Sequence, residues 1–405
     1  MKPIVRAGRM KPVHSDIRGP LFVEAMKRQK QGIDILKLNT GNPATFGFGL
    51  PDSIKNALIE HMQDGVGYCD FKGMPQARQA ICDYETSKGI KGITSDDVFI
   101  GNGVSEVVSF ALTPLLNDGD EVLVPSPSYS LWGNSVYLED GKPVFYTCDE
   151  QANWYPDIQD IRSKITDKTK AIVIINPNNP TGVLYPKELL LEIIQIARES
   201  GLLIFADEIY DRLVMDGKQH ISLASLTEDV PVITLNGLSK SHCLCGYRCG
   251  WMVISGPREL TEDYRQGIIQ LTSLRLCANT MAQIVIPAAL DDMETPASMV
   301  RPGGRIYEQR EATVRELEKI DGLSFVKNDA AFYVFPKLDV KKFNITNDKQ
   351  FAHDLLDATN ILLVPGSGFD WKDPDHFRIV MLPQADILSD AIRRMGTFLD
   401  GYKQK

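Results

Sequence analysis

Residues 171–207 read AIVIINPNNPTGVLYPKELLLEIIQIARESGLLIFAD. The stretch opens on the apolar run Ala171–Ile175 and closes on another, Leu202–Ala206, stopped by Asn176 and Asp207 respectively. Short continuous apolar runs bounded by such residues are what strands buried on both faces look like. Between them, Lys187–Ser200 places Leu189, Leu190, Ile193, Ile194 and Ile196 along one face of a helix. Strand, helix and strand in this order predict an α/β fold with a parallel or mostly parallel sheet.

The same texture extends upstream and downstream. Val98–Ile100, Glu121–Val124, Val144–Tyr146 and Val232–Leu235 read as further buried strands, and Ser105–Leu116 as a helix. Past Pro302 the pattern changes. Helical Tyr307–Ile320, strand-like Ala331–Pro336, helical Gln350–Asp357, strand-like Ile361–Val364 and Phe377–Met381, and helical Ala385–Phe398 describe a smaller α+β domain. No internal repeat or low-complexity stretch interrupts the chain.

At 405 residues the chain is too long for one core, so two lobes are expected. The net charge of -9 argues against nucleic acid or an anionic membrane as partner. Met1–Pro20 is polar and broken by prolines, without the apolar core of a signal peptide, and no later run is long enough to span a bilayer. A cytoplasmic protein is expected. Seven cysteines in so long a chain do not form a disulfide framework. Cys243, Cys245 and Cys249 beside His242 lack the spacing of a zinc site and read as small packed residues, so no metal is expected.

Ligands of open α/β sheets bind beyond the carboxyl ends of the strands. The polar and Gly-rich clusters of this chain fall there: Gly101–Ser105, Pro125–Tyr129, Asn176–Gly182, Asp207–Glu208 and Asn236–Lys240. Gly101–Ser105 leads into a helix, whose free amides and dipole suit a phosphate, although Ser105 is equally placed to be a plain helix cap. A dinucleotide fingerprint fails because Glu106 stands where its third glycine belongs. Asp207 ends the most apolar strand, where a carboxylate requires a cation or a proton; capping the next turn is its simpler reading. Tyr210 lies one turn on. Lys240 follows a strand and a tight turn, and a lysine in an apolar or cationic site attacks carbonyls. Arg248 is placed to neutralise a phosphate.

Asn179-Pro180-Thr181-Gly182, Asp207 with Tyr210, Ser239-Lys240 with Arg248, and Phe377-Arg378 occur here in that order. Together they resemble the class I (fold type I) pyridoxal-phosphate aminotransferases, from about Gly41-Asn42-Pro43 to the C-terminus. The resemblance implies a large cofactor-binding domain, residues 46–295, with a mostly parallel seven-stranded sheet between helices. A small α+β domain would comprise residues 296–405, with residues 1–45 forming an arm and its start.

By the same resemblance, Lys240 holds pyridoxal 5'-phosphate as a Schiff base and moves the proton at the substrate α-carbon. Asp207 would pair with the pyridinium nitrogen, Asn179 and Tyr210 would bond the ring hydroxyl oxygen, and Tyr129 would stack on the ring. Val104 through its amide, Ser105 and Arg248 would hold the phosphate. Tyr68 resembles the tyrosine that reaches the phosphate of a neighbouring subunit, implying a homodimer with shared sites. Arg378, with Asn179 and the backbone of Gly41, would clamp the substrate carboxylate. Two positions depart from the pattern: Gly237, where many relatives carry a phosphate-binding serine, and Ala330, in the place of a usual glycine.

Asp16-Ile17-Arg18-Gly19-Pro20, Gly67-Tyr68-Cys69-Asp70 and Arg301-Pro302-Gly303-Gly304-Arg305 are similar to the alanine-synthesising, glutamate–pyruvate branch of the family. That likeness implies small amino acids and 2-oxo acids as substrates. Such an enzyme accepts a methyl group and a γ-carboxylate in one pocket, which makes Arg18, or else Arg275, the expected partner of the distal carboxylate. Carbon–sulfur lyases and decarboxylases share the fold and the lysine, and a non-catalytic regulator would need a DNA-binding domain for which the N-terminal arm has no room.

Overall fold

The computed structural model describes residues 2–405. Eight strands form one sheet: Val98–Asn102 (β1), Glu121–Ser126 (β2), Lys142–Asp149 (β3), Tyr155–Pro156 (β4), Thr169–Ile175 (β5), Leu203–Asp207 (β6), Val232–Gly237 (β7) and Cys249–Ser255 (β8). Their order is β1-β8-β7-β6-β5-β2-β3-β4. β7, β6, β5, β2 and β3 are parallel in succession. β8 runs antiparallel to both of its neighbours, so β1 points the same way as β7. Seven strands make the body of the sheet, as expected, and the two-residue β4 adds an antiparallel eighth at the edge.

The deciding stretch folds as its pattern dictates. Ala171 to Ile175 pair in parallel register with Leu203 to Asp207. Successive side chains of a strand point to opposite faces. Accordingly Ile172, Ile174, Ile204 and Ala206 pack with Leu190, Ile193 and Ile194 of the helix Lys187–Ser200. Val173 and Phe205 join Phe99, Val107, Val108 and Ile233 on the other side. Each buried Val, Leu, Ile or Phe side chain among these stabilises the fold by about 1.5–3 kcal/mol. Gly201 ends the helix with φ 65°, the left-handed conformation glycine adopts at least cost.

Sequence patterning did not single out β8. Its apolar run Trp251–Ile254 is too short for periodicity to separate strand from helix. Its glycine makes the insertion possible: a Cβ on Gly250 would lie 2.3 Å from the backbone nitrogen of Val104.

In the C-terminal part, helices Arg305–Leu317, Asp348–Thr359 and Ala385–Leu399 accompany a small antiparallel sheet ordered Tyr333–Val334, Phe377–Val380, Val364–Pro365. The expected strand over 331–336 shrinks to two residues because Ala331 has φ 59° and turns the chain. Where glycine is usual the chain has Ala330, yet the left-handed backbone sits at its neighbour. Leu36–Lys37 pairs in parallel with Ile361–Leu362, tying the N-terminal segment to this part. No single helix among the described residues is long and apolar enough to cross a membrane.

Candidate active site

All five polar clusters emerge at one edge of the sheet, because β1, β2, β5, β6 and β7 end there. Asp207 is the last residue of β6 and is buried. Its Oδ2 accepts from the indole Nε1 of Trp132 at 3.1 Å, and its Oδ1 from the backbone N–H of Ile209 at 3.4 Å. Among the described residues no cation forms an ion pair with it. Burial pushes its pKa up to about 6, with Trp132 and Ile209 pulling the other way. The capping bond is therefore present, but it leaves a carboxylate in an environment that disfavours its charge.

Lys240 lies in the short helix Leu238–Ser241 that follows β7, and its Nζ donates to the carbonyl oxygen of Gly41 at 3.0 Å. Burial opposes its charge, yet Tyr333, Cys245 and Tyr129 outweigh that effect against Arg378, holding its pKa above the ordinary lysine range. Gly41 must be glycine, since a Cβ there would lie 2.3 Å from the Tyr333 hydroxyl.

Arg378, on the central strand of the small sheet, is fully enclosed. Its guanidinium donates to Asn179 Oδ1 at 2.9 Å and to the carbonyl oxygen of Asn39 at 2.5 Å, between the rings of Tyr333 and Phe369. Its Nε has no hydrogen-bond partner among the described residues. Tyr210 shares a 2.9 Å hydroxyl–hydroxyl hydrogen bond with Tyr333. Lys240, Asp207, Asn179, Tyr210, Arg378 and Gly41 thus form one constellation. Tyr129 is close enough to influence both Lys240 and Arg378 electrostatically.

A second group forms beside it. Gly103, with φ 84°, is the N-cap of the helix Val104–Leu112, so Ser105 is not the cap but the second helical residue. The first amides of a helix have no intrahelical acceptor. Arg248, with φ 59°, lays its guanidinium against this turn: a Cβ on Gly103 would lie 2.3 Å from Arg248 Nη2. Gly237 has no room for a serine's Cβ, which would meet the carbonyl oxygen of Cys249 at 2.5 Å. In this chain the first departure noted above is thus matched by a close approach of the two strands. Lys240, Arg248 and Arg378 make no ion pair with a carboxylate among the described residues.

Tyr68 stands apart from this group, 83% exposed. Arg18 is exposed and makes no ion pair among the described residues, but Ile17 beside it accepts from Asn39 Nδ2 at 2.8 Å, and Asn39 in turn accepts from Arg378. Arg275 is differently engaged: its Nη1 donates to Glu106 at 2.5 Å. The three clustered cysteines serve separate neighbours, Met299, Ser239 and Ala282, and burial pushes the thiols of Cys243 and Cys249 up to about 12, which makes them inert.

Sequence reasoning missed Trp132, Tyr333 and Asn39. It also missed a buried ion cluster behind Asp207, where Lys88 Nζ meets Glu85, Glu208 and Asp211 at 2.7, 2.7 and 3.2 Å. Glu208, Asp211 and His220 come close enough for a metal, but the Lys88 ammonium occupies that role.

Residues 33–392 match the family described as aminotransferase class I and II. The chain belongs to that family. It is 50% identical to the glutamate-pyruvate aminotransferase AlaA of Haemophilus influenzae over the whole of both chains. It is 45% identical to an alanine aminotransferase of Mycobacterium tuberculosis, covering 100% of this chain and 94% of the relative. A crystal structure of an aminotransferase from Escherichia coli superimposes with a TM-score of 0.98 at 47% identity, covering 100% of both chains.

Proposed function

We propose that this aminotransferase holds pyridoxal 5'-phosphate at Lys240 and interconverts L-alanine and 2-oxoglutarate with pyruvate and L-glutamate in a ping-pong cycle. The charge pattern carries the reading. Among the described residues, three cations without carboxylate partners, Lys240, Arg248 and Arg378, accompany a buried carboxylate without an ion pair, Asp207, on which Lys240 acts electrostatically. That is the inverse of a phosphate, a substrate carboxylate and a pyridinium nitrogen, so the residues present fit the cofactor. When bound, the cofactor supplies an aldehyde and an electron-withdrawing ring.

The remaining work belongs to the chain. Asp207 keeps the ring nitrogen protonated. Asn179 and Tyr210 hydrogen-bond the ring hydroxyl oxygen, and Tyr129 covers the ring face. The amide of Val104, Ser105 and Arg248 hold the phosphate. Arg378 orients the substrate through its carboxylate, which a planar guanidinium matches with two parallel bonds, helped by Asn179 and the backbone of Gly41. Lys240 carries the proton to and from the substrate α-carbon. A homodimer lets the exposed Tyr68 complete the phosphate site of a second copy.

The substrates are supported by the names of the relatives and by whole-length similarity to them. Purified, cofactor-loaded protein is expected to be yellow and to bleach on addition of either L-alanine or L-glutamate alone. No bleaching with either amino acid would overturn the assignment.

Arg18 is proposed to meet the γ-carboxylate of glutamate, since its neighbour Ile17 is linked through Asn39 to Arg378. A charge-assisted hydrogen bond is worth about 1.5–3 kcal/mol, so Arg18→Ala is expected to lower kcat/KM for glutamate by about tenfold to a hundredfold. The value for alanine should stay nearly unchanged. Equal losses for both donors would remove Arg18 from specificity.

A further inference from the structure

A carboxylate stands where the proposed phosphate site should least tolerate one. Glu106 is the third residue of the helix that begins at Val104, directly after Ser105. Its Oε2 accepts from the backbone N–H of Asn102 at 2.7 Å, and its Oε1 from Asn102 Nδ2 at 2.9 Å. Oε2 also accepts from Arg275 Nη1 at 2.5 Å. The other end of that guanidinium, Nη2, donates to the carbonyl oxygens of Ile100 and Phe71 at 3.1 and 3.2 Å. Asn102 Oδ1 closes the set by accepting from the backbone N–H of Asn279 at 2.8 Å. The side chains of Arg275 and Glu106 are only 13% and 23% exposed.

Three donors therefore converge on Glu106, and only a carboxylate offers acceptors at both oxygens; a glutamine has one. We propose that the Glu106–Arg275 pair is a positioning unit for the phosphate of the cofactor. Glu106 shapes the Asn102–Gly103 turn so that the free amides of Val104 and Ser105 face the ligand. Arg275 cancels the negative charge that would otherwise repel that ligand and fastens the turn to the segment around Phe71, while Asn102 ties it to Asn279. The inference rests on the assignment of Val104, Ser105 and Arg248 to the phosphate. It gives Arg275 a place near the cofactor rather than at the distal carboxylate of the substrate.

The test is equilibrium binding to the cofactor-free full-length protein, read by tryptophan fluorescence. The probes are pyridoxal phosphate, pyridoxal and inorganic phosphate, applied to wild type, Arg275→Met, Glu106→Gln, the double variant and Arg248→Met. With Arg275 gone, a partly buried carboxylate is left unpaired, and affinity for pyridoxal phosphate and for inorganic phosphate is expected to fall by about tenfold or more, while pyridoxal changes by less than about twofold. The double variant removes the orphaned charge and should recover part of the loss, a coupling that independent sites do not show. Equal losses for pyridoxal and pyridoxal phosphate, no loss at all, or a double variant weakened by the sum of the singles would each overturn the proposal. A wild type with no preference for the phosphorylated probe, and an Arg248→Met variant that changes nothing, would instead overturn the phosphate assignment itself. Glu106→Gln is isosteric and carries the test if Arg275→Met does not fold: affinity for pyridoxal phosphate and inorganic phosphate should change while that for pyridoxal stays within about twofold, and no change, or an equal change for all three probes, would overturn the proposal.

Discussion

A Lys240→Ala variant is expected to bind pyridoxal phosphate without covalent attachment and to lose about four orders of magnitude in kcat, the upper end of what a positioned acid–base group contributes. Borohydride reduction should fix the cofactor on Lys240 of the wild type and on no residue of the variant, as read by peptide mass. The cofactor should still bind, because Asp207 and Arg248 are untouched and neither depends on the lysine for its position. Stability should change little. Among the described residues the only hydrogen bond that Lys240 Nζ makes goes to the carbonyl oxygen of Gly41, and one such bond is worth about 1 kcal/mol. In the cofactor-free protein the neighbours of Lys240 hold its pKa above the usual range. The attacking form is the neutral amine, so covalent loading should accelerate as pH rises. Retained turnover in the variant, or label at another lysine such as Lys88, would displace Lys240 from the chemistry.

How far the sequence reveals such a site depends on how local each part is. The unit from β5 to β6 was legible because its signals are short-range: two apolar runs, one amphipathic helix and the polar residues that stop them. Lys187–Ser200 is helical over the predicted range, and every apolar residue named for its face is buried. The strand-end position of the polar clusters followed from the same alternation. What was not legible depends on pairs far apart in the chain. Trp132 reaches Asp207 across 75 residues, Tyr210 reaches Tyr333 across 123, and Arg275 reaches Glu106 across 169. No periodicity encodes these meetings. Arg275 is the instructive case, since an unplaced arginine can be assigned to any anion, and only the fold shows which one it meets. Gly237 teaches the converse. It departs from the family pattern in a way that looks chemical, and the fold adds a steric side that the sequence does not show, because β7 and β8 lie too close there for a Cβ.

Asp207 gives the second large expected effect, and its sign differs between the empty and the loaded protein. Burial raises its pKa to about 6 in the fold, against about 3.9 for a free aspartate. A carboxyl group raised in this way destabilises the fold once pH passes its unfolded value, and the cost grows until pH passes its folded value. Between about pH 4 and pH 6 the cofactor-free protein should lose stability on this account, by about 3 kcal/mol at most. Asp207→Asn removes the charge but keeps one acceptor for the two donors, Trp132 and Ile209. The cofactor-free variant should therefore melt at or above the wild-type temperature at pH 8, and lose that advantage at pH 4. With pyridoxal phosphate the order should reverse at pH 8, because the wild-type carboxylate would gain the proposed pyridinium partner and the asparagine would not. An asparagine would not keep the ring nitrogen of a bound cofactor protonated, and kcat should fall by about a hundredfold to a thousandfold, the range for loss of one preorganised electrostatic contact. Melting curves at the two pH values, with and without cofactor, separate this from a purely structural role. If the variant is destabilised equally at both pH values and turns over normally, Asp207 is no more than the cap of the turn to Ile209.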